Sequence, residues 1–209
     1  MAKRTLNGAA AIALVFFLWL ALEVSLGRTL AFDTALRDAV HARAWPPLTS
    51  AMLLLTRMGE PTFLVVVTIL AAWLLGSTGH RRIAAVAALS TLGAVAVSES
   101  LKLAFHRMRP AAFFGYQEPA GYSFPSGHAI TALCFYGILT TLLATRMKSR
   151  AWRRILWGAA AILVFLVGFS RVYLGVHHPT DVVAGYALGF AWVAGVLHVE
   201  PLPVRREKL

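Results

Sequence analysis

The chain has 209 residues, 58% of them hydrophobic and only 14% charged, with a formal net charge of +11. Soluble domains are about 25% charged, so this chain has too little polar surface to cover itself in water, and its mean hydropathy of +0.68 points to the bilayer as its solvent. Its lysines and arginines sit mainly in short segments between apolar blocks, so membrane topology explains them and no nucleic-acid partner is expected.

Six apolar blocks are candidate spans, a crossing helix needing roughly 20 mostly apolar residues. The first is Gly8–Leu26. Lys3 and Arg4 precede it as in a signal peptide, but the run is long and no small-x-small cleavage site follows, so a retained anchor is expected. Next comes Phe32–Trp45, with Phe32, Leu36, Ala39 and Val40 on one face and Asp33, Arg37, Asp38 and His41 on the other. It reads either as a helix lying along the outer interface or as a plain helical loop. A helical stretch, Leu48–Met58, precedes the second span, Pro61–Leu75, with Arg57 and Glu60 as interfacial anchors. The third span is Ile83–Phe105 and the fourth Ser126–Thr145, which contains Cys134, the single cysteine. One cysteine allows no internal disulfide and no cysteine metal site, and this one reads as a buried apolar residue. Ile155–Tyr173 and Pro179–Val199 complete the set. Gly and Ala in the third and sixth spans suit close helix packing. The expected fold is all-α: one domain over residues 1–209, an integral membrane bundle of six transmembrane helices with an interfacial amphipathic helix on the outer face.

Charge sets the expected orientation. With six spans, Lys3 and Arg4, Arg81 and Arg82, the run Arg146, Lys148, Arg150, Arg153 and Arg154, and the C-terminal Arg205, Arg206 and Lys208 all fall on one side. By the positive-inside rule that side is cytoplasmic. The opposite side then holds Arg28–Ser50, His106–Pro125 and Gly175–His178.

A second set of ionisable groups borders the outer ends of the spans: Lys102, Arg109, His128, Arg171, His177 and Asp181. Such groups are costly near a bilayer and mark functional candidates. Lys102 and Arg109, seven residues apart, face the same way if their helix continues to Pro110. Two converging cations suit a multiply charged anion, although a snorkelling lysine beside an interfacial arginine gives the same pattern. His106 and Arg107 are expected to face headgroups or water. Glu99, three residues before Lys102, either pairs with it or packs between helices.

Pro125-Ser126-Gly127-His128 opens the fourth span. A helix N-terminus offers free N–H groups to phosphate, and Gly127 lets the backbone come close. Ser126 either caps the helix or donates to a phosphate oxygen. His128 titrates near neutrality, as a general acid should. In Ser170-Arg171 to His177-His178-Pro179-Thr180-Asp181, Pro179 suits the first position of the sixth helix. Asp181 then lies in its first turn, four residues after His177. Its carboxylate either caps the helix dipole or holds one ring nitrogen of His177, exposing the other as nucleophile. His178 remains a rival nucleophile, although as N-cap it should point elsewhere. No two acids are spaced as a metal-ligand pair on one helix face.

With these residues in place, the sequence resembles the type 2 phosphatidic acid phosphatases, the membrane branch of a superfamily that includes bacterial acid phosphatases and vanadium haloperoxidases. That family's motifs are Lys-x6-Arg-Pro, Pro-Ser-Gly-His and Ser-Arg-x5-His-x3-Asp. Here they read Lys102 to Arg109-Pro110, Pro125 to His128, and Ser170-Arg171 to His177 to Asp181, in order, over a motif core of residues 102–181. The resemblance implies that His177 attacks phosphorus to form phosphohistidine, that Asp181 orients it, and that His128 protonates the leaving oxygen and then activates water. It implies that Lys102, Arg109, Ser126, Gly127 and Arg171 hold the phosphate, with no metal or other cofactor. The substrate class implied is a lipid phosphate: phosphatidic acid, phosphatidylglycerophosphate or a polyprenyl diphosphate. The implied setting is a bacterial inner membrane, with cytoplasmic termini and a periplasmic active site among membrane lipids. The loop Gly115–Tyr122 is placed to influence headgroup choice. Two other readings stay open: a lipid phosphotransferase using the same site, and a transporter of a phosphate-bearing solute, the latter weakened by the absence of an inverted repeat.

Overall fold

A computed structural model describes residues 2–117 and 120–199, with side chains from Thr5 onward. The C-terminal Arg205, Arg206 and Lys208, and Glu118 of the expected headgroup loop, lie outside the described residues. The chain forms eight helices among the described residues: α1 Ala2–Ser25, α2 Leu30–His41, α3 Pro46–Met58, α4 Pro61–Ser77, α5 Arg81–Phe105, α6 Gly127–Ala144, α7 Arg150–Tyr173 and α8 Pro179–Val199. Proline opens α3, α4 and α8, where its fixed φ suits the first helical position and its missing N–H costs nothing. Ser149 caps α7 by accepting the Trp152 N–H.

Helices α1, α5, α6, α7 and α8 are each long and apolar enough to cross a membrane. The expected second span is a bent pair, α3 and α4, which meets the same criterion only jointly and turns by 40° at Gly59 and Glu60. Large apolar side chains point outward all round the bundle, with Ile12 and Trp73 each 72% exposed. That surface is untenable in water and ordinary in lipid.

Helix α6 runs through the centre, packed on α4, α5, α7 and α8, while α1 packs along α8. Cys134 lies buried in this core, as expected. Small residues permit a close crossing: a Cβ on Gly185 of α8 would lie 2.9 Å from the backbone oxygen of Ser126 and 2.9 Å from Ala129 Cβ. This contact sets the start of α8 against the start of α6.

The third span ends at Phe105, as expected, with His106 in the left-handed region at φ 49°. The helix does not continue to Pro110, so Arg109 belongs to the loop beyond α5. The amphipathic segment does form a helix, α2, and two of its charged residues, Asp33 and Arg37, dock on the protein while Asp38 and His41 are exposed. Asp33 is 0% exposed, and Arg37 donates to Ala111 O and lies over the Phe113 ring. Phe32 and Leu36 point outward, at 59% and 39% exposed. Beside lipid, a buried charge such as Asp33 needs partners in the protein.

The crossing at Gly185 gives a direct test. Gly185→Ala must push the backbone of α6 and α8 apart, an overpacking cost of about 1–3 kcal/mol. The variant's thermal midpoint in detergent should fall below that of wild type; an unchanged midpoint would contradict the close approach.

Candidate active site

The turn from α7 to α8 places the two histidines. Gly175 sits there at φ +79°, and a Cβ on it would lie 2.7 Å from the backbone nitrogen of Phe113, so only glycine fits. Phe113 N–H donates to Leu174 O at 2.9 Å, tying the loop after α5 to this turn. The carbonyl of Arg171 accepts the N–H groups of Val176 and His177 at 3.1 and 3.3 Å. The end of α7 thus fixes the backbone of His177.

The His177 ring is 2% exposed and is held from both sides. Its Nδ1 lies 3.3 Å from Asp181 Oδ2, and its Nε2 lies 3.0 Å from Arg109 Nη1. These partners determine the tautomer. A guanidinium can only donate, so Nε2 must accept, and the ring proton sits on Nδ1 facing the carboxylate. Burial pushes His177 down to about 3 from its ordinary 6.5, with Asp181 opposing and Arg109 and Arg171 reinforcing the shift. At neutral pH the imidazole is uncharged, with its Nε2 lone pair beside a cation. His178 is arranged differently: its backbone N–H donates to Asp181 Oδ2 at 2.9 Å, while its ring Nδ1 is buried without a partner.

The other motif residues converge on the same end of the bundle. Arg109 also donates to Gly121 O and Val176 O, at 3.1 and 3.0 Å. Ser126 N–H donates to Asp181 O at 3.0 Å, joining the start of α6 to α8. Ser126 makes no side-chain cap bond, and its Oγ is buried without a partner. A Cβ on Gly127 would lie 3.4 Å from Lys102 Nζ and 3.5 Å from Ser98 Oγ, so Lys102 does reach the first turn of α6. Lys102 pairs with Glu99 at 2.7 Å, one of the two alternatives the sequence left open. Arg171 is 1% exposed, bonded to Thr56 Oγ1 at 2.5 Å and to Tyr116 OH at 3.3 Å. It is thus enclosed by protein rather than lying at the interface.

His128 Nε2 lies 3.2 Å from a Glu60 carboxylate oxygen, an ion-pair distance without hydrogen-bond alignment. Glu60, half exposed, sits at the bend between α3 and α4 with its carboxylate beside His128. Arg57 is exposed. Buried polar atoms normally have partners. Ser98 Oγ, Ser126 Oγ and Arg171 Nε have none within the protein. All three belong to this cluster, where an oxygen-rich anion would satisfy them.

Arg107 is the largest correction. It does not face headgroups or water: its side chain is 13% exposed and pairs with two carboxylates, Asp33 and Asp181, each 0% exposed. Asp33, Arg107, Thr56, Tyr116, Ser98 and Glu60 are the residues that sequence reasoning missed. The one signal available was the scarcity of acids: the chain has only 9, so each acid beside an apolar segment warranted a search for a partner. Among the described residues, no group of three or more His, Cys, Asp or Glu side chains is placed to hold a metal ion.

Residues 83–204 match the model of the PAP2 superfamily. Phosphatidylglycerophosphatase B of Bacillus subtilis is 31% identical over 179 residues, 84% of this chain and 86% of that protein. An undecaprenyl-diphosphatase of Sulfolobus acidocaldarius is 31% identical over 191 residues, 88% of this chain and 86% of its own length. The crystal structure of a transmembrane PAP2-type phosphatidylglycerolphosphate phosphatase from Bacillus subtilis superposes with a TM-score of 0.80 at 27% identity, over 95% of this chain and 98% of that one. The chain therefore belongs to the PAP2 superfamily, the type 2 phosphatidic acid phosphatases that its motifs resemble, and is a multi-pass membrane hydrolase of phosphoric esters or diphosphates.

Proposed function

We propose that the protein is a metal-independent lipid phosphatase that works through a phosphohistidine on His177. The observation that carries this reading is the His177 ring, clamped between Asp181 on Nδ1 and Arg109 on Nε2. When a phosphate enters, the Arg109 N–H turns to a phosphate oxygen and frees the Nε2 lone pair to attack phosphorus. Asp181 accepts the Nδ1 proton's hydrogen bond and stabilises positive charge on the ring. Lys102, Arg109, Arg171, the Ser126 hydroxyl and the N–H groups at Gly127 hold the equatorial oxygens, where charge builds up in the transition state. His128 gives a proton to the leaving oxygen, then takes one from the water that hydrolyses the phosphohistidine.

The substrate class is a lipid monophosphate or diphosphate. Relatives named for phosphatidylglycerophosphate and for undecaprenyl diphosphate both support it. The site faces the periplasm from an inner membrane crossed six times, the bent α3–α4 pair counting once. Arg81 and Arg82, and the run from Arg146 to Arg154, lie at the turns opposite the site, which supports a cytoplasmic location for those turns.

Phosphate release in detergent with excess chelator tests the reaction. Wild type should release phosphate from phosphatidic acid, phosphatidylglycerophosphate or a polyprenyl diphosphate. His177→Ala should lose at least about a thousandfold in kcat, and His128→Ala about 10²–10⁴, both with normal insertion. Full activity in either variant contradicts the mechanism.

Acid stability provides a second test. Folded His177 refuses its proton down to about pH 3, whereas an unfolded chain takes it up near pH 6.5. Between these values the unfolded state binds more protons, so the fold weakens as pH drops. The thermal midpoint should fall from about pH 6.5 to about pH 4, and less steeply in His177→Asn. Parallel slopes would contradict a buried neutral His177.

For orientation, Met108 is 74% exposed at the site end. A cysteine there should react with a membrane-impermeant maleimide added to intact cells, and one at Gly79 should not. The reverse pattern would invert the topology.

A further inference from the structure

The nucleophile's partner has a partner of its own. Asp181 Oδ2 serves both His177 Nδ1 and the His178 N–H, at 3.3 and 2.9 Å, while Oδ1 is taken by Arg107 Nη1. The same Nη1 donates to Thr180 Oγ1 at 2.8 Å. Nη2 donates to Asp33 Oδ2 at 2.7 Å and to Thr29 Oγ1 at 3.2 Å. Asp33 in turn accepts the Thr180 N–H on Oδ1 at 2.9 Å and the Thr180 hydroxyl on Oδ2 at 2.7 Å. Two carboxylates with no exposed surface thus share one guanidinium across the start of α8. One of them arrives on α2, far away in sequence.

We infer that Arg107 and Asp33 are positioning residues for the reaction: Arg107 fixes the rotation and ionisation of Asp181, and Asp33 fixes Arg107. The inference rests on the reading of His177 as nucleophile. A carboxylate turns easily about its last torsion, which is broad and two-fold. With Oδ1 tied to Arg107, Oδ2 is the oxygen left to face His177, and the ring keeps its proton on Nδ1. Arg107 also lowers the cost of a buried negative charge at Asp181. It does this without touching substrate, since both its terminal nitrogens are engaged by protein oxygens. Asp33 has two effects: it anchors the fork, and its negative charge draws off part of the field that Arg107 exerts on Asp181. Helix α2 thereby becomes a support of the nucleophile rather than a surface attachment alone.

Kinetics of Arg107→Ala, Arg107→Lys and Asp33→Asn, each in the full chain in detergent, test the inference. Arg107→Ala should lower kcat about 10–100-fold, the usual range for loss of a supporting hydrogen bond behind a reactive group. KM and the inhibition constant of inorganic phosphate should stay at their wild-type values. Arg107→Lys, which lacks the fork, should fall between. The acid limb of kcat/KM should move to higher pH in Arg107→Ala, where Asp181 has lost its cation. In Asp33→Asn it should move to lower pH, because Arg107 then acts on Asp181 alone. A purely structural staple gives no such opposed shifts. Wild-type kcat in Arg107→Ala, or a loss confined to KM and phosphate inhibition, overturns the inference. If Arg107→Ala does not insert, unchanged kcat and pH limbs in the other two variants do so. His177→Ala in the same assay separates the levels: turnover there refutes the nucleophile itself.

Discussion

A carboxylate buried at the end of a membrane bundle must be fully hydrogen-bonded, and the arrangement of this site follows from how Asp181 meets that demand. An unpaired charge in such a place costs several kcal/mol. Asp181 is therefore met by Arg107 from the loop after α5 and by the His178 N–H at the head of its own helix. Its remaining contact is the His177 ring. The carbonyl of the same residue takes the Ser126 N–H, so the start of α6 is registered against it as well. One residue thus sets the relative positions of α2, α6, α8 and the loop between α5 and α6, and the proposed chemistry uses the geometry that results.

Helix packing makes this convergence possible. The centre of the bundle is threaded by α6, whose first turn would receive the phosphate, and α8 crosses it where Gly185 allows backbone contact. The bend between α3 and α4 serves a similar purpose. It frees α3 to support Arg171 through Thr56 and carries Glu60 to His128. Rigid spans therefore supply the cations and histidines, and the irregular segments between them supply the contacts that aim them.

Much of this was legible in the sequence because it is local. The spacing of His177 and Asp181 reads as one turn of helix after Pro179, and the ring and carboxylate do meet. Lys102 on the last turns of α5 and Gly127 at the opening of α6 were likewise placed correctly, since helix periodicity and N-terminal chemistry depend on near neighbours. What failed was mostly long-range. The shared facing of Lys102 and Arg109 depended on the helix continuing past Phe105, and His106 turns the chain before it can. Arg107 was assigned to headgroups because nothing near it in sequence announces Asp33 as a partner. Asp33 was placed on the polar face of an amphipathic segment, and its partner Arg107 lies too far away in sequence to be read from that pattern. The contact of Glu60 with His128 was not legible because a 40° bend cannot be inferred from two prolines and a glycine.

The central claim is that His177, and no other residue, carries the phosphoryl group between the two half-reactions. Rapid acid-free quenching during turnover of a lipid labelled in its phosphate, followed by peptide mapping at alkaline pH, examines it most directly. The account predicts an alkali-stable, acid-labile phosphoryl label on His177, absent from His177→Asn. Label on His178, or steady turnover with no labelled enzyme at any time, would contradict it.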